Sequence, residues 1–250
     1  MVNKKMGFFL LMKYIYGPLK SRRLGFSLGI SLTPYKICSF DCVYCQLGIT
    51  NTLSNERKEY IAVKDVLAEL KHWLQSHPQE AGNLDYITFS GTGEPTLHSK
   101  LGQLIASIKQ ISPVPIAVIT NASLFYDPLV RQEVRDADLI VPSLDAVDEE
   151  AFLKIDRPAH GIKLKSIIEG LVALRKEFKK KMWLEVMLVK GINDDLAHIR
   201  KLKEVVAKIK PDKIQLNSPV RTPAECGVVG VNKERLQQIK EILGPSCEIV

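Results

Sequence analysis

The sequence predicts an α/β fold in which parallel strands alternate with covering helices. Short apolar runs alternate with amphipathic stretches along the chain, and several runs are Val/Ile-rich without strict alternation, as strands buried on both faces are. This strand–helix alternation occurs six times, which implies parallel pairing through right-handed crossovers. The polar and glycine-rich motifs fall just after the apolar runs, where such folds place their chemistry. The pattern alone leaves two products open, an open doubly wound sheet or a barrel, full or partial. Six units are fewer than the eight of a closed barrel.

The expected strands are 28–32, 86–89, 116–119, 139–141, 184–189 and 213–216. Helical stripes lie between or after them. Val63, Val66, Leu67, Leu70 and Leu74 form one, Ile167, Ile168, Leu171, Val172 and Leu174 another, and Leu236, Ile239, Ile242 and Leu243 a last one. Asp194 is placed to cap the helix that runs through Leu202. Pro113, Pro115, Pro142 and Pro219 fall near element ends, where proline is tolerated. No repeat or linker divides the chain, so one domain is expected.

The 250 residues are 46% hydrophobic and 25% charged, an ordinary globular balance. No apolar run approaches the roughly 18 residues of a membrane span. The run from Gly7 to Met12 is too short for a secretory signal, so a cytoplasmic location is the default. The net charge of +7 matches seven bases within the first forty residues, Lys4, Lys5, Lys13, Lys20, Arg22, Arg23 and Lys36, with no acid among them. Such an arm suits an anionic partner such as nucleic acid, or is a solvated basic tail.

Three of the five cysteines crowd into Cys38-Ser-Phe-Asp-Cys42-Val-Tyr-Cys45. In such a chain, crowding argues for metal rather than disulfides. Soft thiolates hold iron, and three on one loop can reach different corners of one four-iron cube. Three ligands leave one iron open to an outside chelator, whereas a structural site is closed by a fourth. Zinc with a fourth ligand from elsewhere is the alternative metal reading.

This CxxxCxxC, with Tyr44 as the aromatic residue before its last cysteine, resembles the radical S-adenosylmethionine (SAM) superfamily. The resemblance implies a partial (β/α)6 TIM-type barrel with parallel strands and outer helices. It implies a [4Fe–4S] cluster on Cys38, Cys42 and Cys45, and SAM bound at the open iron. It also implies an external one-electron donor such as flavodoxin or ferredoxin, and a 5′-deoxyadenosyl radical as oxidant. Residues 1–27 would be a basic segment packing on the barrel, and 28–250 the barrel domain.

Ser90-Gly91-Thr92-Gly93-Glu94-Pro95 resembles the family's GGEP-type motif, which implies Gly91, Gly93 and Glu94 around the SAM amino group. The same resemblance implies a polar SAM contact at Asn121, ribose contacts at Ser143 and Asp145, and a SAM carboxylate contact at Arg157. Adenine would lie near Val189 and Asn217.

Three segments resemble a subgroup related to wyosine-forming tRNA enzymes and nitrogenase-cofactor maturases: 16–25, 38–48 and 217–225. Wyosine-type enzymes carry further cysteines for a second cluster, whereas this chain has only Cys226 and Cys247 to spare, read as a buried thiol and a terminal one. Arg22, Arg23, Arg221 and Glu225 are the candidate substrate residues, because arginines at a barrel mouth can clamp phosphate or carboxylate. The substrate is RNA, or a small molecule, peptide or metallocofactor precursor. A non-enzymatic iron–sulfur carrier is the third reading.

Overall fold

The computed structural model describes residues 12–250. Lys4, Lys5 and most of the apolar run from Gly7 lie outside them. Its strands are β1 (Ile15–Ser21), β2 (Gly25–Ile30), β3 (Ile37–Cys38), β4 (Thr52–Leu53), β5 (Tyr86–Phe89), β6 (Ile116–Thr120), β7 (Leu139–Pro142), β8 (Lys181–Met187), β9 (Lys213–Asn217) and β10 (Cys247–Ile249). Its helices are α1 (Val63–Ser76), α2 (Pro78–Gly82), α3 (Leu101–Ile111), α4 (Pro128–Glu133), α5 (Glu149–Ile155), α6 (Leu164–Glu177), α7 (Leu196–Ile209) and α8 (Lys233–Leu243).

Eight strands form one sheet in the order β1-β2-β5-β6-β7-β8-β9-β10. From β2 to β10 every pairing is parallel, and only β1 runs antiparallel, as a hairpin on β2. The six expected strands are therefore the central six, flanked by two that the sequence did not announce. Strand β8 begins three residues earlier than expected, and Leu188 and Val189 lie buried beyond its end.

The helices cover one face of the sheet. Alternate strand residues such as Leu28, Ile30, Ile87 and Phe89 share a core with Val66 and Leu70 of α1 and Leu104 and Ile108 of α3. Burial of each such side chain contributes about 1.5–3 kcal/mol relative to exposure. On the other face, Leu24, Ala117, Leu139 and Val141 form a second, smaller cluster with Tyr86, Ile119 and Trp183 against it.

The sheet curls. Arg22, in the turn between β1 and β2, reaches the Asn217 Oδ1 at 3.5 Å and the Val250 carbonyl at 3.1 Å, so the first strands and the last face one another. The result is the expected partial barrel. Of the segment expected to pack on the barrel, residues 15–21 and 25–27 are strands of the sheet itself.

The cap of α7 is Asp195, not Asp194. Its Oδ1 accepts from the Ala197 and His198 amides, while Asp194 accepts from the Gly191 amide at 2.7 Å. Among the described residues no helix is long and apolar enough to cross a membrane.

Candidate active site

The cysteine loop lies between β2 and α1, beyond the C-terminal end of β2. Short parallel pairing of β3 with β4 anchors it, and so does buried Lys36, whose Nζ donates to the Gly48 carbonyl at 2.7 Å. Asp41 Oδ1 accepts from the Thr50 amide at 2.6 Å. Two tight turns, Cys45 N to Cys42 O and Gly48 N to Cys45 O, both 3.1 Å, complete it.

The loop docks on the end of α5. Asp41 N donates to the Asp156 carbonyl at 3.0 Å, Val43 N to Ile155 at 2.9 Å, and Ala159 N to Ser39 at 2.8 Å. Phe40 packs edge-on against Phe152 with ring centroids 5.6 Å apart.

Cys38, Cys42 and Cys45 are free thiols. Burial, and after it the Glu94 carboxylate, pushes Cys38 up to about 12. Burial pushes Cys42 well above the ordinary thiol range, and Asp156 and then Cys38 add to it. Among the described residues no group of three or more His, Cys, Asp or Glu closes on one point to hold a single metal ion. A four-iron cube takes its thiolates at separate corners and needs no such convergence.

Gly93 lies against this loop. A Cβ there would stand 1.8 Å from the Ile37 carbonyl oxygen and 2.4 Å from the Thr33 hydroxyl. The glycine was expected to admit a ligand, but its tightest neighbour is the cysteine loop itself. The next residue, Glu94, is buried and takes four hydrogen bonds. Its Oε1 accepts from the Thr96 amide (2.9 Å), the Thr96 hydroxyl (2.7 Å) and the Thr120 hydroxyl (2.6 Å), and its Oε2 from the Asn121 amide (2.8 Å). Burial nonetheless raises its pKa above the usual carboxylate value.

Asn121 follows β6. Its Oδ1 accepts from the Ser123 amide at 3.1 Å, and its Nδ2 donates to Ser39 Oγ at 2.8 Å and lies 3.7 Å from Cys38 Sγ. The side chain expected to meet SAM is held on the cysteine loop.

A second buried carboxyl group lies across the loop. Asp145 Oδ2 accepts from the Tyr44 hydroxyl, and its Oδ1 accepts from the Met187 amide at 2.8 Å. Burial, and among charges Glu185, raises Asp145 to about 7. Its neighbour Asp156, which the sequence reading missed, is raised well above the usual range by burial and then by Asp145. Asp156 Oδ1 lies 3.5 Å from Cys42 Sγ. Tyr44, Asn121, Ser143, Asp145 and Asp156 line one small cavity. Among the described residues, Glu94, Asp145 and Asp156 form no ion pair. Asp156 gave no signal because a lone Asp after a short helix resembles any surface acid.

Arg157 is half-exposed at a backbone φ of 45° and pairs with Glu225. The Glu225 amide donates to Val43 O at 3.1 Å, and Arg221 reaches Gln46, so the segment after β9 leans on the cysteine loop. Arg22 and Arg23 lie apart from this rim. Arg23 pairs with Glu185, whose Oε1 accepts from Asn217 Nδ2 at 3.1 Å, and Asn217 Oδ1 receives Arg22. These expected substrate and adenine residues hold one another, with Arg22 exposed and Glu185 and Asn217 buried. The Val189 amide donates to Asn193 Oδ1 at 2.7 Å, which leaves no free N–H there for an adenine edge. Cys226, expected as a buried thiol, is exposed, and the terminal Cys247 is the one that is buried, in β10.

A barrel of this kind, with three thiols at the mouth, defines a class of protein, and comparison with known proteins gives the family. The radical SAM superfamily model matches residues 32–202, and the chain belongs to that superfamily. Its members are enzymes that use a [4Fe–4S] cluster and SAM.

Among relatives, the chain is 35% identical over 239 residues to a UPF0026 protein of Methanocaldococcus jannaschii, covering 96% of this chain and 73% of that one. It is 40% identical over 237 residues to a protein of Brachyspira hyodysenteriae named GTPase Obg, covering 95% of this chain but only 34% of that protein. The chain thus spans about a third of one relative and about three quarters of the other. Among solved structures, a radical SAM methyltransferase from Sphaerobacter thermophilus superposes with a TM-score of 0.68 at 18% identity, covering 90% of this chain and 65% of that one. The structure of TYW1 with a lysine–pyruvate adduct gives 0.62 at 22%, covering 87% and 72%. At these identities the likeness is one of fold.

Proposed function

We propose that this chain binds a [4Fe–4S] cluster through Cys38, Cys42 and Cys45 and uses it to cleave SAM for hydrogen abstraction from a substrate. The observation that carries the reading is a pair of features at one place. Three thiols share a loop, and three buried carboxyl groups without counter-ions among the described residues surround it. Unpaired buried carboxylates are costly, and SAM brings two positive charges, a sulfonium and an ammonium.

Cys38, Cys42 and Cys45 would hold the cluster, which would supply SAM with one electron from an external donor of flavodoxin or ferredoxin type for reductive cleavage. The chain's own residues hold the reactants. Glu94 Oε2 accepts one hydrogen bond within the chain and has capacity for the SAM ammonium. Ser143 and Asp145 would serve as ribose acceptors, and the small cavity they line must widen to admit the sugar. Arg157 receives the SAM carboxylate by leaving Glu225.

For the substrate, we propose RNA or a small anionic molecule. Of the seven early bases, Arg22, Arg23 and Lys36 are engaged inside the chain, and Lys13 and Lys20 are exposed. RNA binding through phosphates would fall steeply with salt. Turnover of a small molecule that is insensitive to salt would favour the other reading.

The test is anaerobic reconstitution with iron and sulfide, then reduction in the presence of SAM. Release of 5′-deoxyadenosine is expected from the native chain and not from Cys42→Ala. A reconstituted protein that holds only zinc, or shows no cluster spectrum, would discard the proposal.

A further inference from the structure

We infer that Asn121 tunes the cluster, its side-chain amide donating a hydrogen bond to the Cys38 sulfur and raising the centre's one-electron reduction potential. The inference rests on the cluster reading above and adds a residue that acts through a ligand.

The amide has one orientation. The Ser123 backbone N–H can only donate, so the Asn121 atom facing it at 3.1 Å is the oxygen. The nitrogen therefore faces the cysteine loop with two hydrogens. One meets Ser39 Oγ at 2.8 Å, and the other is left for Cys38 Sγ at 3.7 Å, an ordinary length for a bond to sulfur. Ser39 and Ser123 are tied to each other at 2.7 Å, both buried, which fixes the two ends of the amide. The backbone is held as well, since the Asn121 N–H donates to Glu94 Oε2 at 2.8 Å. No ligand is needed to aim this donor at the sulfur.

A thiolate that accepts a hydrogen bond gives less electron density to its iron, and hydrogen bonds to the sulfurs are among the features that set cluster potentials. One-electron reduction adds negative charge to the centre. A donor on Cys38 favours that reduced state, so its removal makes the potential more negative. No bond is made or broken, and the electron comes from the external donor.

The experiment is a redox titration of the reconstituted full chain without SAM, followed by electron paramagnetic resonance, with iron and sulfide content measured beside it. Asn121→Leu keeps the shape and removes the donor, and should shift the midpoint to more negative values. Asn121→Asp, which sets an acceptor against the sulfur, should shift it further in the same direction. Ser39→Ala removes the other acceptor of the amide, while the Ser123 N–H still fixes its oxygen, and should leave the midpoint near native. An unshifted midpoint in Asn121→Leu at full iron content overturns the inference, as does an equal shift in Ser39→Ala. If Asn121→Leu fails to take up iron, the smaller Asn121→Ala, which also removes the donor without adding charge, decides by the same criterion. Failure of the native chain to hold a cluster overturns the function proposed above, a separate outcome.

Discussion

The site has two zones that differ in how their polar groups are held. The inner zone is buried, and its members bind one another. Glu94 takes four hydrogen bonds, Asn121 is fixed at both ends of its amide, and Tyr44, Asp145 and Asp156 form one connected group. The outer zone is the rim, where Arg157 meets Glu225 and Arg221 meets Gln46, all exposed to solvent. Buried polar networks are rigid and costly to disturb, whereas exposed pairs contribute little and exchange partners readily. The inner zone is therefore built before any ligand arrives, and the rim is free to change partners when one does.

The strongest way to break this contrast is at the thiols. Cys42→Ala should abolish cluster uptake, read as iron per chain, with little change in the fold seen by far-ultraviolet circular dichroism. Gly93→Ala should come next. Its Cβ would stand 1.8 Å from the Ile37 carbonyl, so the two loops must part. Iron uptake should fall severely, and thermal unfolding should move to lower temperature. An Ala variant with native iron content would show that the contact is dispensable.

Glu94→Ala leaves several donors buried without an acceptor and should cost about 3 kcal/mol in urea unfolding of the apo chain. A loss near zero would place Glu94 outside the rigid zone.

A pH series sharpens the same point. Burial raises Asp145 from its ordinary value to about 7, so the folded chain keeps a proton that the unfolded chain has lost. Stability of the apo chain should then be greatest below about pH 4 on this account, and decline toward about pH 7. Asp145→Asn should lessen that decline, and Asp156, raised by burial as well, supplies what remains.

The smallest effect belongs to the rim. Glu225→Gln should change stability by less than about 0.5 kcal/mol, because the pair is exposed. It should also tighten SAM binding to the reconstituted enzyme, measured calorimetrically, because Arg157 no longer has a competing carboxylate.

Much of the inner zone was legible in the sequence, and the reason is spacing. The three cysteines, the glycine–glutamate turn and the residues after β6 and β7 each follow an apolar run, and the fold brings those strand ends together. What was not legible depends on distant partners. Ser39 and Ser123 are separated by 84 positions, and neither carries a local signal. Arg22 and Arg23 were expected at the mouth because they are basic and precede a strand. Instead, curling of the sheet brings them to Glu185 and Asn217. Strand β1 was hidden by Gly17 and Pro18 in its middle, which interrupt the alternation that marks a strand. Strand β10 was hidden by its length of 3 residues.

Those two flanking strands bear on solubility. The outermost strand on one side contains a proline, a register irregularity between Tyr16 and Leu19, and exposed Lys20. The one on the other side is only 3 residues long and carries Glu248. Open strand borders invite further chains to add on, and proline, bulges, charge and brevity are the features that deter them. With Arg22 joining the two borders, the described residues offer no long flat template for self-association, and a concentrated preparation should stay clear of fibrillar aggregates.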